Sequence, residues 1–313
     1  MEPLSSHPVL SLEFTSKWLF RFSLLVVCAT LFLILAGGLV TSHDAGLAVP
    51  DWPTSYGQWF PPMVGNVFWE HGHRMIAGTV GLLTLVLALW VQFRETRKKI
   101  KALAWLALAL VVIQALLGGL TVILMLPDPV SIAHACLAQT FFCVLIALAY
   151  GLSTLPGLKN TLFTSEDGIS RLRRLLILTV AFIYLQLMLG ATARHTPMTW
   201  PVVIHIVVAF LILIHVLLIV LRASRLRDDF ALRKEKGWEG FESLFSLLRC
   251  SALSLGFITV CQIFLGFGAF IFTRMLAAGY APSYGEVIFT AAHQTLGAII
   301  LGLTFLMSLV VWR

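Results

Sequence analysis

The chain has 313 residues, 59% of them hydrophobic and only 12% charged, with a mean hydropathy of +0.92. Soluble domains carry roughly 25% charged residues, so this composition excludes an ordinary soluble enzyme and implies a polytopic membrane protein. The net charge of +7 does not point to nucleic acid, because the basic residues lie between apolar runs.

In chain order, apolar runs long enough to cross a bilayer fall at 18–40, 68–93, 102–124, 130–153, 174–193, 201–221, 251–273 and 287–311. The first is too long for a cleaved signal peptide and is expected to span. Nineteen of the 22 Lys and Arg residues fall on one side, in the terminal segments, the 94–101 loop, the polar stretch before the fifth span and a long 222–249 loop. The other side has only Arg74, Arg194 and Arg274. The positive-inside rule then places both termini in the cytoplasm. The expected fold is all-α, with eight transmembrane helices. Cys28, Cys136, Cys143, Cys250 and Cys261 lie in or beside spans and form no CxxC, so they read as small apolar core residues rather than a disulfide or zinc framework.

The odd-numbered spans repeat a motif. The third carries Gln114-x-x-x-Gly118-Gly119, the fifth Gln186-x-x-x-Gly190 and the seventh Gln262-x-x-x-Gly266, while the first keeps only Ala36-Gly37-Gly38. Small residues and a buried amide suit close packing and hydrogen bonding between helices. The repeat divides the chain into two four-helix bundles. These are 1–153 and 174–313, joined by a cytoplasmic linker, 154–173, that carries Pro156 and Gly157.

The even-numbered spans each carry one histidine at matched depth: His73, His134, His205 and His293. Ala77, Ala138, Ala209 and Gly297 follow four residues later, on the same helix face. Each imidazole is therefore expected to have a flat patch of its own helix beside it. Histidine inside a span is functional by default, and paired axial histidines beside open surface suit a bulky planar ligand. Two bis-histidine haem sites follow, His73 with His134 and His205 with His293, both toward the extracytoplasmic face.

The first site carries more. Glu70 lies one turn before His73 on the same face, where a carboxyl is costly unless paired. Arg74 is its counter-charge or the holder of a haem propionate. Glu286, seven residues before His293, sits at a helix boundary where solvation or helix N-terminal stabilisation competes with chemistry. His71 falls on a different face from His73. His215 reads as a core or lipid-facing residue, His43 and His195 as outer-loop residues, and His7 lies in the N-terminal tail. The first outer loop, 41–67, is rich in turn formers and aromatics, lacks basic residues, and reads as a lid over the first site.

At these residues the chain resembles the haem A synthase family of cytochrome oxidase assembly. The resemblance rests on Gly46…Pro50-Asp51-Trp52-Pro53, Glu70-x-x-His73-Arg74, the Gln-x-x-x-Gly repeats and one histidine in each even-numbered span. It implies haem O as substrate between His73 and His134, haem A as product, and a resident haem B between His205 and His293. It implies oxidation of the C8 methyl of haem O to a formyl group, with Glu70 as the essential carboxylate beside that methyl. It also implies residence in a bacterial-type inner (plasma) membrane. A membrane electron partner such as quinone, supply by a haem O synthase and a homo-oligomer are further expectations. Many bacterial members carry a cysteine just before the Pro-Asp-Trp-Pro motif; here that position is Val49. The competing reading is a bis-histidine b-type membrane cytochrome in quinol-linked electron transfer. It accounts for the four histidines but not for Glu70.

Overall fold

The computed structural model describes residues 17–154, 166–232, 242–276 and 281–312. The chain forms eight helices: α1 (Lys17–Ser42), α2 (Asn66–Arg94), α3 (Lys98–Ile123), α4 (Asp128–Leu152), α5 (Glu166–His195), α6 (Trp200–Leu232), α7 (Glu242–Phe270) and α8 (Tyr284–Trp312). A single π-helical turn, Ile271–Met275, continues α7. All eight are long and apolar enough to cross a membrane. Among the described residues no strand forms beyond an isolated bridge between Ser55 and Gln58. In hydrocarbon every backbone N–H and C=O must find a partner within its own segment, which is why long apolar runs become helices.

The helices overrun the apolar runs at the basic end. The expected 222–249 loop is largely helix, because α6 continues to Leu232 and α7 starts at Glu242. Apolarity stops where the bilayer stops, but Ala, Arg and Leu remain good helix formers beyond it. The expected linker is likewise helical from Glu166 onward. Its Pro156 and Gly157, with His7, lie outside the described residues.

Neighbouring helices close two rings, α1–α2–α3–α4 and α5–α6–α7–α8, which meet along α1, α4, α5 and α8. Each ring has its own apolar core. Leu19, Leu87, Ala107 and Leu148 are among the residues of the first, and Leu176, Ile219, Leu255 and Leu301 among those of the second. A small third cluster, Ile34, Phe142, Ile146 and Ala298, lies between them. Two hydroxyl contacts cross the same seam, Ser42 to Thr290 at 2.7 Å and Thr140 to Tyr184 at 2.7 Å.

At the basic end, α2 turns into α3 over three residues. The Glu95 carboxylate accepts from the backbone of Thr96 and Arg97 and from the Arg97 guanidinium. These bonds to the charged form hold its pKa down at about 2.

Candidate functional site

Both histidine pairs are assembled in the same way, each ring held by the odd-numbered helix that precedes it. A Cβ placed on Gly37 would lie 3.1 Å from Cε1 of His73, and one on Gly118 3.1 Å from Cε1 of His134. The corresponding distances are 2.9 Å from Gly190 to His205 and 2.9 Å from Gly266 to His293. Each imidazole therefore approaches the glycine backbone closely through Cε1, in space that a larger residue would occupy. The glutamine one turn earlier completes the grip. The side-chain amides of Gln114, Gln186 and Gln262 donate to the backbone carbonyls of His134, His205 and His293 at 3.0, 2.8 and 3.0 Å.

The rings are seated from the preceding helix, not by the small residues four positions on in their own helices. At Gly297 a Cβ would meet Gln262 Nε2 at 3.2 Å, so that glycine makes room for the glutamine. The Gln-x-x-x-Gly repeat makes the inter-helix hydrogen bonds expected of it and also seats His134, His205 and His293, while Gly37 of α1 seats His73. The repeat's roughly constant offset from the histidines in the α3/α4 and α5/α6 pairs was the available signal.

The pairs differ in one respect. In the second, Nδ1 of His205 and of His293 each lie 3.1 Å from the backbone oxygens of Gln186 and Gln262. A proton on Nδ1 satisfies that contact and makes Nε2 the acceptor nitrogen, which in His293 lies 3.4 Å from the Gln262 amide nitrogen that a bound metal would displace. The two rings stand 6.1 Å apart, centroid to centroid. Two imidazole nitrogens each about 2 Å from one shared metal require a separation of roughly that size, so the pair fits a haem iron. In the first pair, Nδ1 of His73 and of His134 is buried without a hydrogen-bond partner. Among the described residues no three His, Cys, Asp or Glu side chains converge as a metal site. Bis-histidine haem ligation needs only two, because the porphyrin supplies the rest.

The first loop is bound to α2 through the residues singled out there. Glu70 is buried at 4% exposure. Its Oε2 accepts the Val49 N–H at 2.8 Å and its Oε1 pairs with Arg74 at 2.5 Å. Arg74 Nη1 donates to the carbonyls of Asp51 and Thr54 at 2.7 and 2.8 Å. His71, one residue from Glu70, meets the Ser55 hydroxyl through Nδ1 at 2.8 Å. Position 49 is thus a buried Val whose amide holds Glu70.

Asp51 organises the turn itself, accepting from the Thr54 hydroxyl at 2.5 Å, the Tyr56 N–H at 2.6 Å and the Gly57 N–H at 3.0 Å. These bonds lower its pKa from 3.8 to about 2. A depressed carboxylate favours the folded turn above the unfolded value. Its contribution is complete above about pH 4 and is lost as pH falls toward 2.

The loop reaches α3 through Trp52. A Cβ on Gly119 would lie 2.6 Å from Cδ2 of its indole, next to the glycine that seats His134. Gly119→Val is expected to expel Trp52 and loosen the loop while the eight helices stay intact. Faster proteolysis between residues 51 and 64 with unchanged helical circular dichroism would be the result; unchanged proteolysis would mean that Trp52 does not hold the loop.

The remaining histidines are placed by local packing. His43 stacks on Trp69 at 3.9 Å and meets the Leu39 carbonyl at 2.8 Å. His215, half-buried, faces the Thr179 hydroxyl at 3.3 Å and the edge of Phe182. His195 ends α5. Glu286 lies 3.7 Å from Arg194, and all five cysteines are free thiols.

Residues 63–201 match the family described as "Cytochrome oxidase assembly protein". A protein of Exiguobacterium sibiricum called "Heme A synthase" is 31% identical over 191 residues, 58% of this chain and 62% of its own length. One from another Exiguobacterium is 30% identical over 195 residues, 59% and 62% of the two chains, and one from Shewanella oneidensis is 30% identical over 191 residues, 55% of each. Over this stretch the chain is similar to proteins called haem A synthase. The matched stretch spans about three-fifths of the first two of these relatives. The match to the family takes in Glu70, His73, Arg74 and His134 and ends four residues before His205. His205 and His293 are therefore picked out by their geometry, in which each ring again lies against a glycine of the preceding helix.

Proposed function

We propose that the chain is a haem A synthase, oxidising the C8 methyl of haem O through alcohol and hydrate to a formyl group. The observation that carries this reading is a buried carboxylate, Glu70, one turn from a glycine-seated histidine and roofed by the first loop. An electron carrier needs neither the carboxylate nor the roof.

In this reading His73 and His134 receive haem O as substrate, in the N-terminal half (1–153). His205 and His293 hold a resident haem B in the C-terminal half (174–313). The difference in hydrogen bonding supports the division. A ligand imidazole whose second nitrogen donates to a carbonyl is fixed in orientation and made more basic, and loss of such a partner typically lowers metal affinity 10–100-fold. The second pair has those partners and suits a permanent occupant. The first lacks them and suits a substrate that must leave as product. When bound, the resident haem supplies one-electron redox chemistry near the active site, with a membrane carrier such as quinone as the electron partner.

The polypeptide's own part is positional. Gly37 and Gly118 set the two substrate-binding imidazoles, Trp52 and the 41–67 loop keep water from the face they cover, and Arg74 holds Glu70 between helix and loop. Glu70 takes up the proton released as the methyl is oxidised. The basic end of the bundle faces the cytoplasm under the positive-inside rule, which puts both sites toward the extracytoplasmic face.

The test is co-expression with a haem O producer in a host that lacks haem A, followed by pyridine haemochrome spectra and mass of the extracted haems. A new species with the mass of haem A is expected. Two equivalents of haem B and no new species, with haem O supply verified, would make the protein a b-type cytochrome instead. His205→Ala and His293→Ala are each expected to lower haem B in the purified protein toward zero. Full retention would reverse the assignment of the two halves.

A further inference from the structure

Of the three basic residues at the histidine end, Arg74 is committed to Glu70 and to two loop carbonyls. The other two gather over the second site. Arg194 lies four residues beyond Gly190, one helical turn outward on the face that seats His205. Arg274 lies in the π turn that extends α7 beyond Gly266, the seat of His293. Arg274 reaches from α7 to the end of α5. Arg274 Nη2 donates to the carbonyl of Ala193 at 2.9 Å, and Ala193 is the neighbour of Arg194.

Among the described residues neither guanidinium has all its N–H groups engaged. Arg194 donates to the Thr41 carbonyl at 2.8 Å through Nη2, and its Nη1 is 3.7 Å from Glu286 Oε1, an ion-pair distance rather than a hydrogen bond. Glu286 is the carboxylate at this rim, two turns outward from His293. The two guanidinium groups stand at the outer ends of the helices whose glycines seat His205 and His293, with Glu286 against Arg194 and Asp128 near His195.

We infer that Arg194 and Arg274 form a carboxylate-binding rim for the second site, gripping the propionates of the haem held there. The inference rests on the haem reading of that site. A guanidinium offers a planar fork that matches a carboxylate in two parallel hydrogen bonds. The first site has no comparable free pair, since its one arginine closes the loop on Glu70. The rim thus gives the two sites unequal hold on the same class of ligand and favours retention at the second.

The experiment uses the full-length protein, stripped of haem and reconstituted with either haem B or its propionate dimethyl ester, with binding read from the Soret band and loss read by transfer to apomyoglobin. The wild type is expected to lose the ester roughly tenfold or more faster than the free acid, the size of a charge-assisted hydrogen bond. The double variant Arg194→Gln/Arg274→Gln is expected to lose both ligands at the same fast rate. The milder Arg194→Lys/Arg274→Lys should recover part of the difference. A wild type that does not distinguish acid from ester, or a double variant that keeps the full distinction, overturns the rim. His205→Ala separates the two levels: if it does not abolish the tightly held haem, the haem reading of this site fails as well. If it does abolish it while the ester makes no difference, the rim alone fails.

Discussion

Glu70→Gln is expected to lower conversion of haem O to haem A by at least about 100-fold, the lower end of what a positioned general acid or base contributes. Haem B content at the second site should remain near the wild-type value. The substitution does more than remove a charge. Glu70 accepts from two donors, the Val49 amide and Arg74, whereas a glutamine has one acceptor and must turn its NH2 toward one of those donors. The unsatisfied contact costs about 1–3 kcal/mol, so the first loop should open locally as well. Asp at this position keeps the charge but shortens the reach. Comparing Gln with Asp, by haem A yield and by proteolysis of the loop, separates the chemical role from the latch. Normal haem A accumulation in Glu70→Gln would make the residue a structural tie and nothing more.

Gly266→Val is expected to strip the second site as completely as removal of His293 itself, although every ligand remains. The added Cβ falls 2.9 Å from His293 Cε1, closer than a real contact allows. The ring cannot simply swing away, because Nδ1 is tied to the Gln262 carbonyl at 3.1 Å and the His293 backbone to the Gln262 amide at 3.0 Å. Relief must come by separating α7 from α8 or by breaking the hydrogen bond that aims Nε2. Gly118→Val should act on the first pair in the same way, but with its added Cβ 3.1 Å from His134 and no Nδ1 tie to break. The expected result is near-zero haem B in purified Gly266→Val with an unchanged helical signal. Wild-type haem content in that variant would show that the glycine is a packing residue only.

The sequence by itself determined a great deal. Apolar runs of bilayer length become helices because hydrocarbon offers the backbone no other partner, so eight spans could be counted from composition. Histidine is costly in a span and stands out against Leu, Val and Phe, so His73, His134, His205 and His293 were visible, with Glu70 beside the first. What a one-dimensional pattern does not carry is which helix each side chain meets. The glycines of the Gln-x-x-x-Gly repeat read as helix packing, and only the fold brings the histidine rings of the neighbouring helices against them. The same holds for Gly119, whose missing side chain is filled by Trp52 from a loop 67 positions earlier. The turn between α3 and α4 is another case. Met125 and Leu126 both adopt left-handed backbone, φ 61° and 58°, unfavourable by roughly 1–2 kcal/mol per residue, and nothing in their side chains announces it. Leu126 packs against Gly46 of the first loop, and its amide is held by the Thr121 carbonyl at 2.7 Å. Local chemistry chose the helices and the ligand types, because solvent and backbone act on each segment alone. Tertiary packing decided the seats, the latch on Glu70 and the difference between the two sites, because each depends on contacts between residues far apart in the chain.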